Sequence, residues 1–153
     1  MIKNIFFISF IIIFISGCGY TPVYSKKDQN YKLGEIETSG NVKLNKAIVR
    51  NIKSLTKKNS NSSKVFDLKL ETNLSKNIKS KDTKGNPKTF EIKIVTNLKI
   101  SKDEINSLQK TFSYSSIYNT LDSEFELSIY EKTVEKTLLS KISEKIIVYL
   151  QTL

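Results

Sequence analysis

Two stretches in the middle of the chain change character at every residue. Phe66, Leu68, Leu70, Thr72 and Leu74 alternate with Val65, Asp67, Lys69, Glu71 and Asn73, while Phe90, Ile92, Ile94, Thr96, Leu98 and Ile100 alternate with Glu91, Lys93, Val95, Asn97 and Lys99. Side chains of a strand point to opposite faces in turn, so both stretches predict long strands with one apolar and one polar face. Lysines and glutamates on the polar faces are placed to pair across an antiparallel hairpin. Between them, residues 76 to 88 hold five lysines and Gly85-Asn86-Pro87, which predicts a loop. Weaker alternation marks Leu33 to Thr38, closed by Ser39-Gly40, and Thr111 to Tyr118, with Phe112, Tyr114, Ser116 and Tyr118 on one side.

Two other stretches repeat every three to four residues. Leu44, Ile48, Ile52 and Leu55 form one stripe between Val42 and Lys57, with Lys43, Lys46, Arg50, Lys53 and Lys57 mostly outside it. Asn41 is placed as its N-cap, and Lys57 and Lys58 suit the negative end of the helix dipole. From Ser123 to Leu150 the stripe is Leu127, Tyr130, Val134, Leu138, Ile142, Ile146 and Tyr149, and Ser123 with Glu126 makes a capping box.

The order is therefore strand, helix, three strands, helix. Phe66–Leu74 and Phe90–Ile100 would span about 30 and 36 Å as strands, and the last helix about 40 Å, so the elements match in length. A sheet with one apolar face and two helices with one apolar stripe each satisfy one another when both helices lie on the same side. The predicted fold class is α+β: two layers, a four-stranded mainly antiparallel sheet with two helices packed on one face.

The amino-terminal stretch belongs to neither pattern. Lys3 precedes an apolar run from Ile5 to Ile15, too short to span a membrane as a helix, which needs about 20 residues, and suited to the core of a signal peptide. Ile15-Ser16-Gly17-Cys18 then puts small residues before the only cysteine, an arrangement that resembles a bacterial lipobox. Cleavage before Cys18 would make it the lipid-bearing first residue, and two or three acyl chains, at about 0.8 kcal/mol per buried methylene, hold a protein on a membrane without spanning it. An ordinary cleaved signal with an incidental cysteine is the alternative. The organisation read from this is a lipoprotein signal peptide at 1–17, a lipidated N-terminus and tether at 18–32, and a single α+β domain at 33–153. The lipobox resemblance brings a sorting rule with it: Gly19, rather than aspartate, after the cysteine implies the outer membrane, on its periplasmic side.

Charge sharpens this picture. The full chain carries 25 basic and 15 acidic side chains, and Arg50 is the only arginine. A basic surface invites a nucleic-acid reading, but an exported, lipid-anchored chain meets lipopolysaccharide or anionic phospholipid instead, so nucleic acid is not expected as a partner. A lysine-rich genome composition would produce the same excess.

Cys18-Gly19-Tyr20-Thr21-Pro22-Val23-Tyr24 resembles the C-G-aromatic-x-P-aliphatic-Tyr opening of the LptE family, the lipopolysaccharide-assembly lipoproteins that sit with the barrel LptD in the outer membrane. The β-α-β-β-β-α order extends that resemblance over the mature chain. It implies an LptD-like outer-membrane β-barrel and lipopolysaccharide as partners, a membrane contact through the lipid on Cys18, and a role in assembling the barrel and passing lipopolysaccharide to the outer leaflet. A structural or pilot lipoprotein escorting another envelope complex is the rival reading.

Catalytic chemistry is scarce. The chain has no histidine, its one cysteine is assigned to lipid, and its glycines form no phosphate loop. Glu35 with Glu37 and Glu124 with Glu126 are the remaining acid–base candidates, and they read more simply as exposed strand and helix-start carboxylates. The expectation is a binding protein, not an enzyme, with no cofactor and no metal. Its candidate lipopolysaccharide contacts are Lys76, Lys79, Lys81, Lys84 and Lys88, whose ammonium groups would meet phosphates and carboxylates as point charges, against the plainer reading of a solvated loop.

Overall fold

The computed structural model describes residues 31–56, 62, 64–101 and 107–153. The leader, the heptapeptide that begins at Cys18, most of the tether, and Lys57 and Lys58 lie outside these residues. The elements are β1 (Tyr31–Gly40), α1 (Val42–Leu55), β2 (Lys64–Lys81), β3 (Pro87–Ser101), β4 (Ser107–Asn119) and α2 (Glu124–Gln151). The four strands form one sheet in the order β1-β2-β3-β4. β1 runs parallel to β2 while the other pairs are antiparallel. A parallel pair needs a crossover between its strands, and α1 provides it.

The apolar faces predicted by the alternation meet the helices. Phe66, Leu68 and Leu70 of β2 and Ile94, Leu98 and Ile100 of β3 are buried against Leu44, Ile48 and Ile52 of α1 and Val134, Leu138, Ile142 and Ile146 of α2. Each such side chain contributes about 1.5–3 kcal/mol when fully buried. The helices pack on each other as well as on the sheet, which is why Leu139, Ser143 and Ile147 are buried in addition to the predicted stripe. At the ends the stripe fails: Leu55 and Tyr130 are exposed.

β1 departs from its predicted pattern in two ways. It starts earlier than Leu33, and Tyr31, assigned to the tether from sequence, is buried with its ring tilted against Phe66 at 5.5 Å. Its pairing also shifts between Leu33 and Ile36, so these two, three residues apart, both turn toward the core. Asp67 holds the irregularity by accepting the Glu35 N–H at 2.7 Å, and a Cβ on Gly34 would collide with that same carboxylate.

Both helix starts form as the caps predict. Asn41 Oδ1 accepts the Leu44 N–H at 3.1 Å and Ser123 Oγ the Glu126 N–H at 3.3 Å. Gly40 makes the first start possible, because its φ of +81° lets the chain turn from β1 into α1 while the Asn41 N–H reaches Thr72 O at 3.1 Å.

Candidate functional site

The largest correction concerns residues 76 to 88. The sequence reading makes them a loop, whereas β2 continues to Lys81 and β3 begins at Pro87, leaving only a five-residue turn. Alternation persists through the polar composition: Leu74, Lys76 and Ile78 share the helix-side face, opposite Ile94, Ile92 and Phe90. Register shifts between Ile78 and Lys81 bend the arm near its end, where the Ser80 and Thr89 hydroxyls bond at 2.7 Å. Asp82 organises the turn by accepting the backbone N–H groups of Lys84 and Asn86, each at 2.8 Å, with Gly85 at φ +86°. The Asn86 amide bonds outweigh burial and hold the Asp82 carboxyl below its ordinary range.

The five lysines therefore fall into two groups. Lys76 and Lys79 are engaged. The Lys76 ammonium pairs with Glu131 of α2 and lies 4.5 Å from the centre of the Phe90 ring. Tyr118 donates its hydroxyl to the same carboxylate at 2.7 Å, stacks on Phe90 and contacts the Tyr130 ring. Burial pushes Glu131 up, but the bonds from Lys76 and Tyr118 outweigh it and hold the carboxyl below its usual range. Burial, followed by the bond to Glu131 and its charge, pushes the Tyr118 phenol well up. On the opposite face Lys79 pairs with Glu91 at 3.1 Å and holds that carboxyl down.

Lys81, Lys84 and Lys88 form the second group. Among the described residues their ammonium groups have no ion pair or hydrogen bond, and all three are exposed. Exposed apolar side chains occur on the arm at Ile78, before α2 at Leu121 and in its first turn at Phe125, the last 74% exposed. The Thr120 N–H bonds Lys88 O at 2.9 Å, which holds the approach to α2 against the hairpin end. Cations beside exposed apolar surface suit an amphiphile with anionic groups.

The outer face of the sheet is polar, as predicted. Lys79 and Glu91 pair across the hairpin as expected, whereas Lys69 lies opposite Lys99 and pairs with Glu37 of β1 at 3.1 Å. Glu71, Asn97 and Thr111 form a hydrogen-bonded row across three strands. A cavity of about 530 Å³ on this face is lined by Glu35, Glu37, Asp67, Lys69 and Lys99. Asp67 and Glu37 already have partners there, and among the described residues no group of three acidic side chains could hold a metal. Ile117 and Val65 are exposed apolar residues on this face.

A second cluster was not singled out from sequence. Lys46, Arg50 and Lys53 follow one ridge of α1 and, with Ile36 and Thr38 of β1 and Val49, line a cavity of about 450 Å³. Spacings of four and three residues reveal the cationic ridge; its apolar partner on β1 is a tertiary contact and leaves no local signal.

No family model matches the sequence, and no curated protein is detectably similar to it. Solved structures do match. Rare lipoprotein B from Shewanella oneidensis superposes with a TM-score of 0.63 at 12% identity, over 79% of this chain and 95% of the other. The chain shares the fold of that protein. An Acinetobacter baumannii minor lipoprotein gives 0.59 at 11% identity, over 80% of this chain and 91% of the other. Lipoprotein B from Nitrosomonas europaea gives 0.60 at 16% identity, over 88% and 89%. At such identities it is the arrangement of strands and helices that is common.

Proposed function

We propose that this chain is a lipid-anchored adaptor of the Gram-negative envelope, similar to the LptE family, which assists an LptD-like barrel in the outer membrane and contacts lipopolysaccharide at the end of its β2–β3 arm. It acts by binding and positioning, with no bond made or broken. The observation that carries the ligand reading is the arm's end, where Lys81, Lys84 and Lys88 are exposed with no ion pair among the described residues and the exposed Leu121 follows Thr120, whose N–H bonds Lys88 O. Lipopolysaccharide presents phosphates and acyl chains together and is complementary to that surface. Cys18 after a short apolar leader supports the anchor, and the lipoproteins that share the fold support the envelope setting. The polar outer face supports the barrel, whose interior is itself polar.

Titration of purified lipopolysaccharide into the wild type and into a Lys81→Gln/Lys84→Gln/Lys88→Gln variant tests the contact. The variant is expected to bind about tenfold more weakly with an unchanged melting temperature, since these ammonium groups make no ion pair among the described residues. Unaltered affinity would remove the arm's end as the ligand site.

A further inference from the structure

The cavity between β1 and α1 has the features of a second, separate ligand site. Lys46, Arg50 and Lys53 stand on one ridge of α1, spread over about 10 Å at 1.5 Å per residue. None has an ion pair or side-chain hydrogen bond among the described residues. Ile36 and Val49 are half-buried between the strand and the helix and give the cavity an apolar floor. No carboxylate enters from β1, because Glu35 and Glu37 flank Ile36 on the opposite face and Glu37 is held by Lys69. Three cations thus line a half-apolar cavity with no ion pair to compensate their charge among the described residues.

Arg50 narrows the chemistry. Every other basic residue in the chain is lysine, so the single guanidinium sits where lysine would have preserved the charge. A guanidinium differs from an ammonium in its planar fork of donors, which matches two oxygens of one phosphate. Position adds a second constraint. β1 is an edge strand and opens the described domain, so the cavity lies at the edge that follows the amino-terminal segment, and the 13 steps from Cys18 to Tyr31 span at most about 47 Å.

We infer that the β1–α1 cavity binds a phosphate-bearing amphiphile, with Arg50 gripping the phosphate in a forked pair, Lys46 and Lys53 flanking it, and Ile36 and Val49 receiving the start of an acyl chain. The site is independent of the hairpin lysines and stands whether or not those bind lipopolysaccharide.

The lone arginine supplies its own probe. In the full mature protein held in a non-ionic detergent, Arg50 gives a single side-chain Nε–H signal in a nitrogen-15 correlation spectrum. Titrating in dihexanoyl phosphatidylglycerol is expected to shift that signal to saturation. Inorganic phosphate should reach the same signal at least tenfold more weakly, for want of the chain contact. The shift should persist in the Lys81→Gln/Lys84→Gln/Lys88→Gln variant, which separates the two sites. By calorimetry, Arg50→Lys is expected to weaken phosphatidylglycerol binding several-fold and Arg50→Gln about tenfold, with melting temperatures unchanged. An immobile Arg50 signal overturns the inference, as does equal affinity for Arg50→Gln. Inorganic phosphate binding as tightly as the lipid would overturn the amphiphile and leave a simple anion site.

Discussion

Lys76 of β2 and Glu131 of α2, 55 residues apart, form an ion pair beneath which the Phe90 ring lies 4.5 Å from the ammonium. The pair ties the hairpin arm to the long helix. Lys76 is therefore part of the fold's frame.

Replacing Glu131 with Gln should cost about 1–2 kcal/mol at neutral pH, because it weakens the bonds from both Lys76 and Tyr118 at a site that is only partly screened. The pH dependence has a definite sign. The folded carboxyl is held below its ordinary value of 4.5, so its contribution is complete above that value and disappears as pH falls through the lower folded value. Melting curves at about pH 7 and about pH 3 should show the gap between wild type and Glu131→Gln narrowing in acid. A constant gap would contradict the geometry.

The hydroxyls of Thr72 and Thr96 meet at 3.1 Å in the core, directly across from one another on β2 and β3. Thr96→Val leaves the buried Thr72 hydroxyl without its partner and should cost about 1–3 kcal/mol. Thr72→Val/Thr96→Val removes both polar groups and should recover most of that loss. Denaturant unfolding of the two single variants and the double tests this, and additive losses would show that the hydroxyls do not act as a pair.

Gly40→Ala should destabilise by about 1–2 kcal/mol, since L-residues pay roughly that for a left-handed backbone. The φ of +81° demands this conformation, and a Cβ there would stand 3.0 Å from Thr72 O. A melting temperature equal to wild type would mean that the β1–α1 turn is not fixed as described.

The strongest elements were readable because their period is set by one neighbouring layer. Leu68, Leu70, Leu98 and Ile100 face a helix layer throughout, and Leu44, Ile48 and Ile52 face the sheet. The end of the arm was misread because lysine, asparagine and serine between Leu74 and Phe90 look like loop composition, while the continuing alternation of Leu74, Lys76 and Ile78 was the better signal. β1 hid its pattern in a bulge that depends on Asp67, a residue of another strand. In α2 the predicted stripe was too narrow, because α1 takes a second stripe through Leu139, Ser143 and Ile147. The division of the five lysines was out of reach of sequence altogether, since the partner of Lys76 lies on α2, far along the chain.

At the amino terminus, the intact mass of the protein extracted from its own cells should correspond to a chain beginning at Cys18 and carrying fatty acids. An unmodified thiol, or a retained leader, would leave the fold in place and remove the anchor.

The central claim is that the folded domain works as a tethered partner of an outer-membrane barrel. Purifying the lipid-anchored protein from native membranes in mild detergent tests it most directly: an LptD-like barrel should co-elute in equal amounts. Elution as a monomer, or with a different envelope protein in fixed ratio, would contradict it.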